Sequence, residues 1–219
     1  MLKPRKKRNI CRVLDVRRLT ASTAVIRLER QGLLFEPGQY IRVGIVGEEE
    51  IRDYSVYSGD ASDYLEVLVR RVEDGLVSKQ LCDLEIGDEV SVGGPYGHFK
   101  LTPEDRGHPL LFVATGTGIS PYHSYVESHS DLEYRLVHGT ALLEEAYEAD
   151  RYADRYFHCV SREEGGDYRG RVTEYLRTLE IPRDTHAFLC GNCDMIYEAF
   201  DLLQEKGLPT ANIHTEVYF

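Results

Sequence analysis

Apolar and polar residues alternate with two different rhythms, and the change of rhythm near residue 100 divides the chain into two halves. In the first half the period is two over short runs, which is typical of strands, and glycine or acidic clusters separate the runs. In the fifth run, Leu65, Val67 and Val69 alternate with Glu66, Leu68 and Arg70. Six short antiparallel strands predict a closed barrel, with one helix over residues 76–84. The predicted strands are residues 11–16, 23–28, 39–46, 52–57, 64–70 and 89–93.

The second half alternates short apolar runs with longer helical patterns, which predicts a parallel sheet with crossing helices. The clearest helix covers residues 193–206, where Met195, Ala199 and Leu203 fall on one face and Gly207 follows as a stop. The predicted strands are residues 110–114, 134–137, 157–160 and 187–190, and the other predicted helices are residues 121–128, 142–150 and 171–179.

A polar segment with two prolines and a glycine, residues 101–109, marks the predicted join between the halves. The chain is therefore expected to fold as two domains. The first is a six-stranded antiparallel β-barrel over residues 1–100, of which residues 1–8 form a basic tail. The second is an α/β domain over residues 110–219.

The composition is that of a globular protein, with 219 residues of which 42% are apolar. No run approaches the roughly 20 apolar residues that cross a bilayer, and no apolar segment follows the basic start. Five cysteines in such a chain are expected to be reduced thiols. We therefore expect a cytoplasmic protein with no membrane partner. A monomer is the expected oligomeric state.

Charge is distributed unevenly along the chain. The first 18 residues hold eight basic residues and one acidic residue, net +7, whereas the other 201 residues carry net −18. A body this acidic repels phosphate backbones, so no nucleic-acid partner is expected. The basic start is either an arm that binds an acidic protein partner or a solubilising terminus.

A glycine-rich turn follows the predicted strand 110–114. Residues 115–121 read Thr-Gly-Thr-Gly-Ile-Ser-Pro and open a predicted helix, so their backbone N–H groups are placed to bind a pyrophosphate at the positive helix end. The dinucleotide fingerprint is incomplete, because Pro121 stands where a glycine or alanine belongs and no acid ends the next strand. The residues alone leave two interpretations open, a phosphate-binding turn and an ordinary strand–turn–helix connection.

Several other motifs surround that turn in a fixed order. Residues 52–55 read Arg-Asp-Tyr-Ser after Pro-Gly-Gln-Tyr at 37–40, residues 93–99 read Gly-Gly-Pro-Tyr-Gly-His-Phe, residues 190–192 read Cys-Gly-Asn, and the chain ends Glu-Val-Tyr-Phe. In this order and spacing the motifs resemble those of the ferredoxin–NADP(+) reductase family of bacterial type, over nearly the whole chain. The resemblance implies a FAD-binding barrel followed by an NADP(H)-binding α/β domain with an aromatic tail on the flavin.

The resemblance also implies roles for single residues at the flavin. Arg52 is expected to neutralise the FAD pyrophosphate, Tyr54 to lie against the isoalloxazine ring, and Ser55 to hydrogen-bond near flavin N5. Tyr218 is expected to cover the other face of the flavin and to move when the nicotinamide stacks there. The residues alone also allow an ordinary barrel strand and two aromatics that close an apolar edge. The further implied FAD contacts are Gly75, Leu76, Val77, Ser78, Thr115 and Phe219.

The NADP(H) contacts implied by the resemblance lie in the second half. Ser161, Arg162 and Arg171 are expected to bind the 2′-phosphate of NADP(H). The alternative is that the two arginines are simply exposed residues of a solvated loop. Ala141 stands where some bacterial members have an arginine, so strict NADPH preference is not implied. The other implied contacts are Thr115, Gly116, Thr117, Gly118, Cys190, Gly191 and Asn192.

Cys190 and Cys193 also form a C-x-x-C motif between a strand and a helix, as a redox dithiol would. The resemblance instead places Cys190 beside the nicotinamide with Glu216, so that Ser55, Cys190 and Glu216 shape the catalytic site. No metal is expected, because one cysteine pair leaves zinc short of ligands and no spacing fits a [2Fe–2S] cluster.

The implied activity is hydride transfer between NADPH and flavin N5, coupled to single-electron exchange with ferredoxin or flavodoxin. Three alternatives remain at this point: an NAD(P)H-dependent flavin reductase, the reductase component of an oxygenase, and, in another class, a C-x-x-C thiol protein or non-catalytic binding module on the same fold.

Overall fold

The computed structural model describes residues 9–218, and these form two compact units. The first unit contains the described residues up to 100 together with His123–Ser128. The second contains Leu101–Tyr122 and the described residues from His129 onward. The basic tail and Phe219 lie outside the described residues.

The first unit is an antiparallel sheet in the order β4-β3-β6-β1-β2-β5. Its two ends meet because Val56 pairs with Val67 just beyond β4 and the Tyr57 N–H donates to the Glu66 carbonyl at 2.7 Å. The predicted six-stranded barrel is thereby confirmed. Its elements are β1 (Asn9–Arg18), β2 (Thr23–Glu29), β3 (Tyr40–Ile45), β4 (Arg52–Ser55), β5 (Tyr64–Arg70), α1 (Leu76–Cys82) and β6 (Glu89–Tyr96).

Strand β5 is more deeply buried than its alternating pattern indicates. Leu65, Val67 and Val69 belong to the barrel core, but Glu66 is only 3% exposed. The Glu66 carboxylate accepts hydrogen bonds from Arg17 and, at 3.0 Å, from Arg27. These arginines lie on β1 and β2, so a buried charge is paired across three neighbouring strands.

The second unit is a six-stranded parallel sheet in the order β10-β9-β8-β7-β11-β12. The predicted parallel sheet with helices is confirmed. Its elements are β7 (Leu110–Thr115), the first turn of α2 (Ser120–Ser128), β8 (Tyr134–Thr140), β9 (Tyr156–Val160), β10 (Tyr168–Arg169), α3 (Val172–Thr178), β11 (His186–Gly191), α4 (Cys193–Glu205) and β12 (Ile213–Val217). None of the helices within residues 9–218 is long and apolar enough to cross a membrane.

The predicted helix over residues 142–150 is wrong. The segment forms two short 3₁₀ turns, Leu143–Glu145 and Ala149–Arg151, and Glu148 between them has a left-handed backbone with φ of 48°. The Glu145 carboxylate accepts the backbone N–H of Ala141 and of Leu142, at 2.9 and 3.0 Å. The side chain therefore folds back onto the preceding turn, and the left-handed residue interrupts any helix.

Two strands of the second sheet lie outside the predicted set. Strand β10 has only two residues, which is too short for a periodic signal. Strand β12 reads Ile-His-Thr-Glu-Val, and its burial is mostly partial because it occupies the edge of the sheet. Both strands are defined by pairing to a neighbour rather than by their own apolar content.

The strand order reverses at the centre of the second sheet. From β7 the chain adds β8, β9 and β10 on one side, and then β11 and β12 on the other. Ligands of open parallel sheets bind outside the carboxyl ends of the strands at such a reversal. The turns after β7 and β11 both begin at this point.

Candidate active site

The glycine turn after β7 packs directly against the end of β11. Residues Gly116–Ile119 form a 3₁₀ turn that leads into α2. A Cβ added to Gly118 would lie 2.4 Å from the backbone oxygen of Cys190, closer than any side chain tolerates. Glycine is therefore required there because two backbones meet, which is the fit expected of a turn shaped for a phosphate.

The two turns at the reversal are also joined by hydrogen bonds. The Asn192 N–H donates to the Thr115 hydroxyl at 2.9 Å, and Gly191, with φ of +129°, would place a Cβ 2.3 Å from that same oxygen. The Asn192 side-chain oxygen accepts from the N–H groups of Asp194 and Met195, capping α4. The structure thus brings Thr115, Gly191 and Asn192 together from positions far apart in the chain.

His138 is a contributor that the sequence analysis did not select. Its Nε2 lies 2.8 Å from the Gly116 carbonyl oxygen and its Nδ1 lies 2.8 Å from the Tyr156 hydroxyl. Full burial lowers the pKa of His138 to about 3, so the ring is neutral at ordinary pH. Because a carbonyl only accepts, Nε2 carries the proton, and the Tyr156 hydroxyl donates to Nδ1. A histidine inside an otherwise apolar strand was the available signal.

The three residues expected at a 2′-phosphate lie after β9 and before α3, and all three are exposed. The Ser161 hydroxyl donates to the Thr140 carbonyl at 3.0 Å. Arg162 follows it, and Arg171 precedes the first residue of α3. Acids also occupy this region, since the Glu163 carboxylate accepts the Leu143 N–H at 2.7 Å.

Cys190, Glu216 and Tyr218 converge at the carboxyl end of β11. Cys190 pairs with Glu216 across β11 and β12, and the Tyr218 N–H donates to the Gly191 carbonyl at 2.9 Å. Burial and the neighbouring Glu216 charge raise the pKa of the Cys190 thiol well above its usual value, although a hydrogen bond with the Tyr218 side chain opposes this. The thiol is therefore protonated at neutral pH, which disfavours Cys190 as the attacking thiolate of a dithiol.

In the first unit, Arg52 and Tyr54 lie on one face of β4, with Ser55 on the other. Arg52 is exposed and its guanidinium contacts the Glu50 carboxylate at 2.9 Å. Tyr54 packs partly against the barrel core, and this burial raises the pKa of its phenol. Ser55 is 3% exposed. The strand therefore presents a cation and an aromatic side chain together, while the serine hydroxyl lies inward.

The start of α1 is the other predicted flavin segment. Gly75 precedes the helix, and a Cβ there would lie 2.6 Å from the Ser78 hydroxyl oxygen. That oxygen accepts the Val72 N–H at 3.1 Å, so Ser78 braces the turn. Val77 is buried, whereas Leu76 is 53% exposed. This turn thus combines a close backbone approach with an open apolar side chain.

The donor set fits both nucleotide cofactors. An exposed arginine next to a half-buried tyrosine suits a diphosphate and a planar ring, and the glycine turn at the strand reversal suits a second dinucleotide. Residues 10–101 match the model of the oxidoreductase FAD-binding domain, and residues 112–200 match that of the oxidoreductase NAD-binding domain. A ferredoxin–NADP reductase B of Sorangium cellulosum is 30% identical over 94% of this chain and 96% of its own length.

The chain belongs to the ferredoxin–NADP reductase family. It is also 29% identical, over 94% of its length, to the toluate 1,2-dioxygenase electron transfer component of Pseudomonas putida, of which it spans 66%. A crystal structure of a ferredoxin NADP⁺ reductase from Neisseria gonorrhoeae with bound FAD and NADP has the same fold, with a TM-score of 0.88. The two sequences are 24% identical, and the structural alignment covers 98% of this chain and 100% of the Neisseria gonorrhoeae chain. This member of the family is an FAD- and NAD(P)-binding oxidoreductase.

Proposed function

We propose that this reductase transfers a hydride between NADPH and FAD and exchanges single electrons with a ferredoxin or flavodoxin. Bound FAD supplies the conversion between a two-electron hydride donor and a one-electron protein acceptor. The observation that carries the proposal is the convergence of Cys190, Glu216 and Tyr218 beside the turns at the strand reversal. In this proposal these side chains border the nicotinamide of a coenzyme that the two turns bind.

The first unit holds FAD in this proposal. Arg52 contributes a permanent positive charge to the diphosphate, and its exposed pairing with Glu50 is weak enough to be exchanged for that contact. Tyr54 offers an aromatic surface kept in place by the core beneath it. Ser55, the last residue of β4 and buried on the face opposite Tyr54, is proposed to hydrogen-bond the reactive edge of the ring from the end of the strand, and Gly75–Ser78 to contact the phosphates.

The second unit positions the nicotinamide. Cys190 is uncharged and small, so it borders the ring without repelling or attacking it. Glu216 places a carboxylate beside that thiol, and the Tyr218 backbone N–H is held by the Gly191 carbonyl at the end of β11. We infer that Tyr218 contacts the flavin until the nicotinamide displaces it.

The first test is the visible spectrum of the purified protein during an oxygen-free titration with NADPH and, in parallel, with NADH. The proposal expects a yellow flavin band that is bleached by stoichiometric NADPH. A protein that stays colourless after FAD is added would refute the role of residues 52–55 and favour a binding module or a C-x-x-C thiol protein.

A matched pair of arginines tests the FAD site. Arg52→Ala is expected to weaken FAD binding by about tenfold or more, because a charge-assisted contact to phosphate is lost. Arg42→Ala is the control, since Arg42 lies on the neighbouring strand and pairs with Asp53 on the opposite face. Equal loss of FAD from both variants would contradict a specific role for Arg52.

The coenzyme preference is tested in the same way. Arg162→Ala and Arg171→Ala are expected to raise the KM for NADPH by about tenfold and to leave that for NADH unchanged, because only NADPH carries the 2′-phosphate. Arg169→Ala is the control, since Arg169 is exposed on β10 but paired with Glu164. If the unaltered protein used both coenzymes equally, the proposed binding of the 2′-phosphate by Arg162 and Arg171 would be refuted, whereas the proposed reductase activity would not.

An oxygenase reductase component is the second candidate. The toluate dioxygenase component and the reductase subunit of an Amycolatopsis aromatic O-demethylase each align with 94% of this chain. Reduction of ferredoxin, flavodoxin and a neutral dye should be compared at rising ionic strength. Our first proposal expects salt to slow the protein acceptors but not the dye.

A further inference from the structure

A cluster of potential metal ligands lies at the amino-terminal edge of the second sheet. Asp105, His186 and His214 come from the segment before β7, the first residue of β11 and the second residue of β12. Strand β11 separates His186 from Gly191 by five residues, or about 16 Å. The cluster is therefore remote from the turns assigned above to the nucleotide.

The three ligand atoms face one another at short range. The His186 Nδ1 donates to Asp105 Oδ1 at 2.6 Å, and His214 Nε2 lies 3.3 Å from that same oxygen. All three atoms lie within 4.8 Å of one another. Asp105 and His186 are buried and His214 is half-buried, so this is not a cluster of solvated acids.

One of these atoms is buried without a hydrogen bond. His214 Nε2 is shielded from solvent and makes no hydrogen bond to any of the described residues, although it lies 3.3 Å from Asp105 Oδ1. A buried polar nitrogen without a hydrogen bond is costly, and an imidazole nitrogen close to a carboxylate oxygen forms a pair of donor atoms that one metal ion can bind together. This orphaned nitrogen distinguishes the cluster from a simple aspartate–histidine pair.

The groups around the cluster fix its orientation. The other oxygen of Asp105 accepts the Thr102 N–H at 2.7 Å and the Thr102 hydroxyl at 2.6 Å. His108 stacks on His186 with 4.5 Å between ring centroids, and Phe188 stacks on His214 at 4.4 Å. Such outer contacts orient metal ligands and raise affinity.

We propose that Asp105 Oδ1, His186 Nδ1 and His214 Nε2 bind one divalent transition-metal ion of the Zn²⁺ class, with water in the fourth position. The 3.3 Å between His214 and Asp105 suits adjacent ligands with bonds of about 2.0 to 2.2 Å. His186 must move away from the carboxylate by less than about 1 Å, and its ring proton transfers from Nδ1 to Nε2. Binding would fasten β12 to the segment before β7.

The test uses the FAD-loaded full chain without an affinity tag, stripped by a chelator and dialysed against buffered Zn²⁺. Elemental analysis is expected to give one zinc per chain at micromolar free Zn²⁺. His214→Gln is expected to lower the affinity by about 100-fold. His98→Gln is the control, since His98 is an exposed histidine of the first unit, and it should bind zinc as the unaltered protein does.

A measurement on the unaltered protein keeps the test valid if that variant does not fold. X-ray absorption at the zinc edge is expected to show nitrogen and oxygen ligands near 2.0 to 2.1 Å and no sulfur near 2.3 Å. Sulfur ligands would assign the zinc to Cys190 and Cys193 and overturn the proposal. The absence of saturable zinc binding, or unchanged zinc binding in His214→Gln, would also overturn the proposal. The cluster would then be a hydrogen-bonded contact between Asp105 and the two histidines.

Discussion

The two units hold their candidate cofactor residues in different ways. In the first unit, Arg52, Tyr54 and Ser55 are neighbours on one strand, and their directions follow from strand alternation. In the second unit the site is assembled from the ends of separate strands, joined by bonds such as Asn192 to Thr115 and His138 to Gly116. Residue spacing along the chain therefore predicts how the side chains of the first site are arranged, but it does not predict which residues of the second site contact one another.

The units also differ in how they bury a titratable side chain. Glu66 is paired with two arginines, whereas His138 is neutral and hydrogen-bonded to a carbonyl and a phenol. Both arrangements satisfy buried polar atoms, and the neutral His138 makes stability depend on pH below 6.5.

The largest predicted effect concerns His138. Its pKa is about 3 when folded and 6.5 in an unfolded chain, so below pH 6.5 the unfolded state takes up a proton that the folded state refuses. Its contribution to stability is complete above pH 6.5 and is lost as the pH falls towards 3. Between pH 7 and pH 4 the loss is about 3 kcal/mol.

Denaturant unfolding of the unaltered protein and of His138→Gln measures this effect. Glutamine keeps a donor for the Gly116 carbonyl and does not titrate, so other groups cancel in the difference. The stability advantage of the unaltered protein should shrink by about 3 kcal/mol between the two pH values. If the difference in unfolding free energy between the two proteins did not change with pH, His138 would not be a neutral buried histidine.

Glu66 tests the other half of the comparison. Glu66→Gln is expected to lower the free energy of unfolding by about 2 kcal/mol, because the ion pairs with Arg17 and Arg27 are lost. The loss is not larger because both arginines are partly exposed to solvent. Glu89→Gln, at an exposed acid on β6, should change it by less than about 0.5 kcal/mol. Similar losses in both variants would show that burial of Glu66 adds nothing.

The glycine turn is tested by a pair of alanine substitutions. Gly118→Ala forces the backbone near Cys190 to shift, so we expect a loss of about 1 to 2 kcal/mol and a coenzyme KM at least about tenfold higher. Gly107→Ala meets nothing within 4 Å and should leave both quantities unchanged. Steady-state kinetics with either coenzyme decides the matter, and normal kinetics in Gly118→Ala would contradict the close approach.

The smallest effect is expected at the cap of α4. Asn192→Ala removes the acceptor of the Asp194 and Met195 N–H groups and should cost about 1 kcal/mol of stability. The bond from the Asn192 backbone to Thr115 remains, so the KM should change less than in Gly118→Ala. A larger KM effect than that of Gly118→Ala would mean that the amide itself contacts the coenzyme.

Much of the fold was predictable because its strands and helices carry strong periodic signals. Residues 64–70 were predicted with the bounds that β5 has, and α4 begins at the predicted Cys193. The segment 142–150 failed because Glu145 binds its own backbone, which competes with a helix locally. Strand β12 was not predicted because an edge strand needs few apolar residues.

The sequence by itself determined the fold class, the family and the order of the cofactor motifs, because these depend on periodicity and on residues close together in the chain. Only the tertiary structure decided that His138 holds Gly116, that Glu216 and Tyr218 lie beside Cys190, and that Asp105 meets two histidines. The first two contacts follow from parallel strand pairing, and the third from a turn that lies beside the starts of β11 and β12; all of them join positions tens of residues apart and leave no local pattern in the chain.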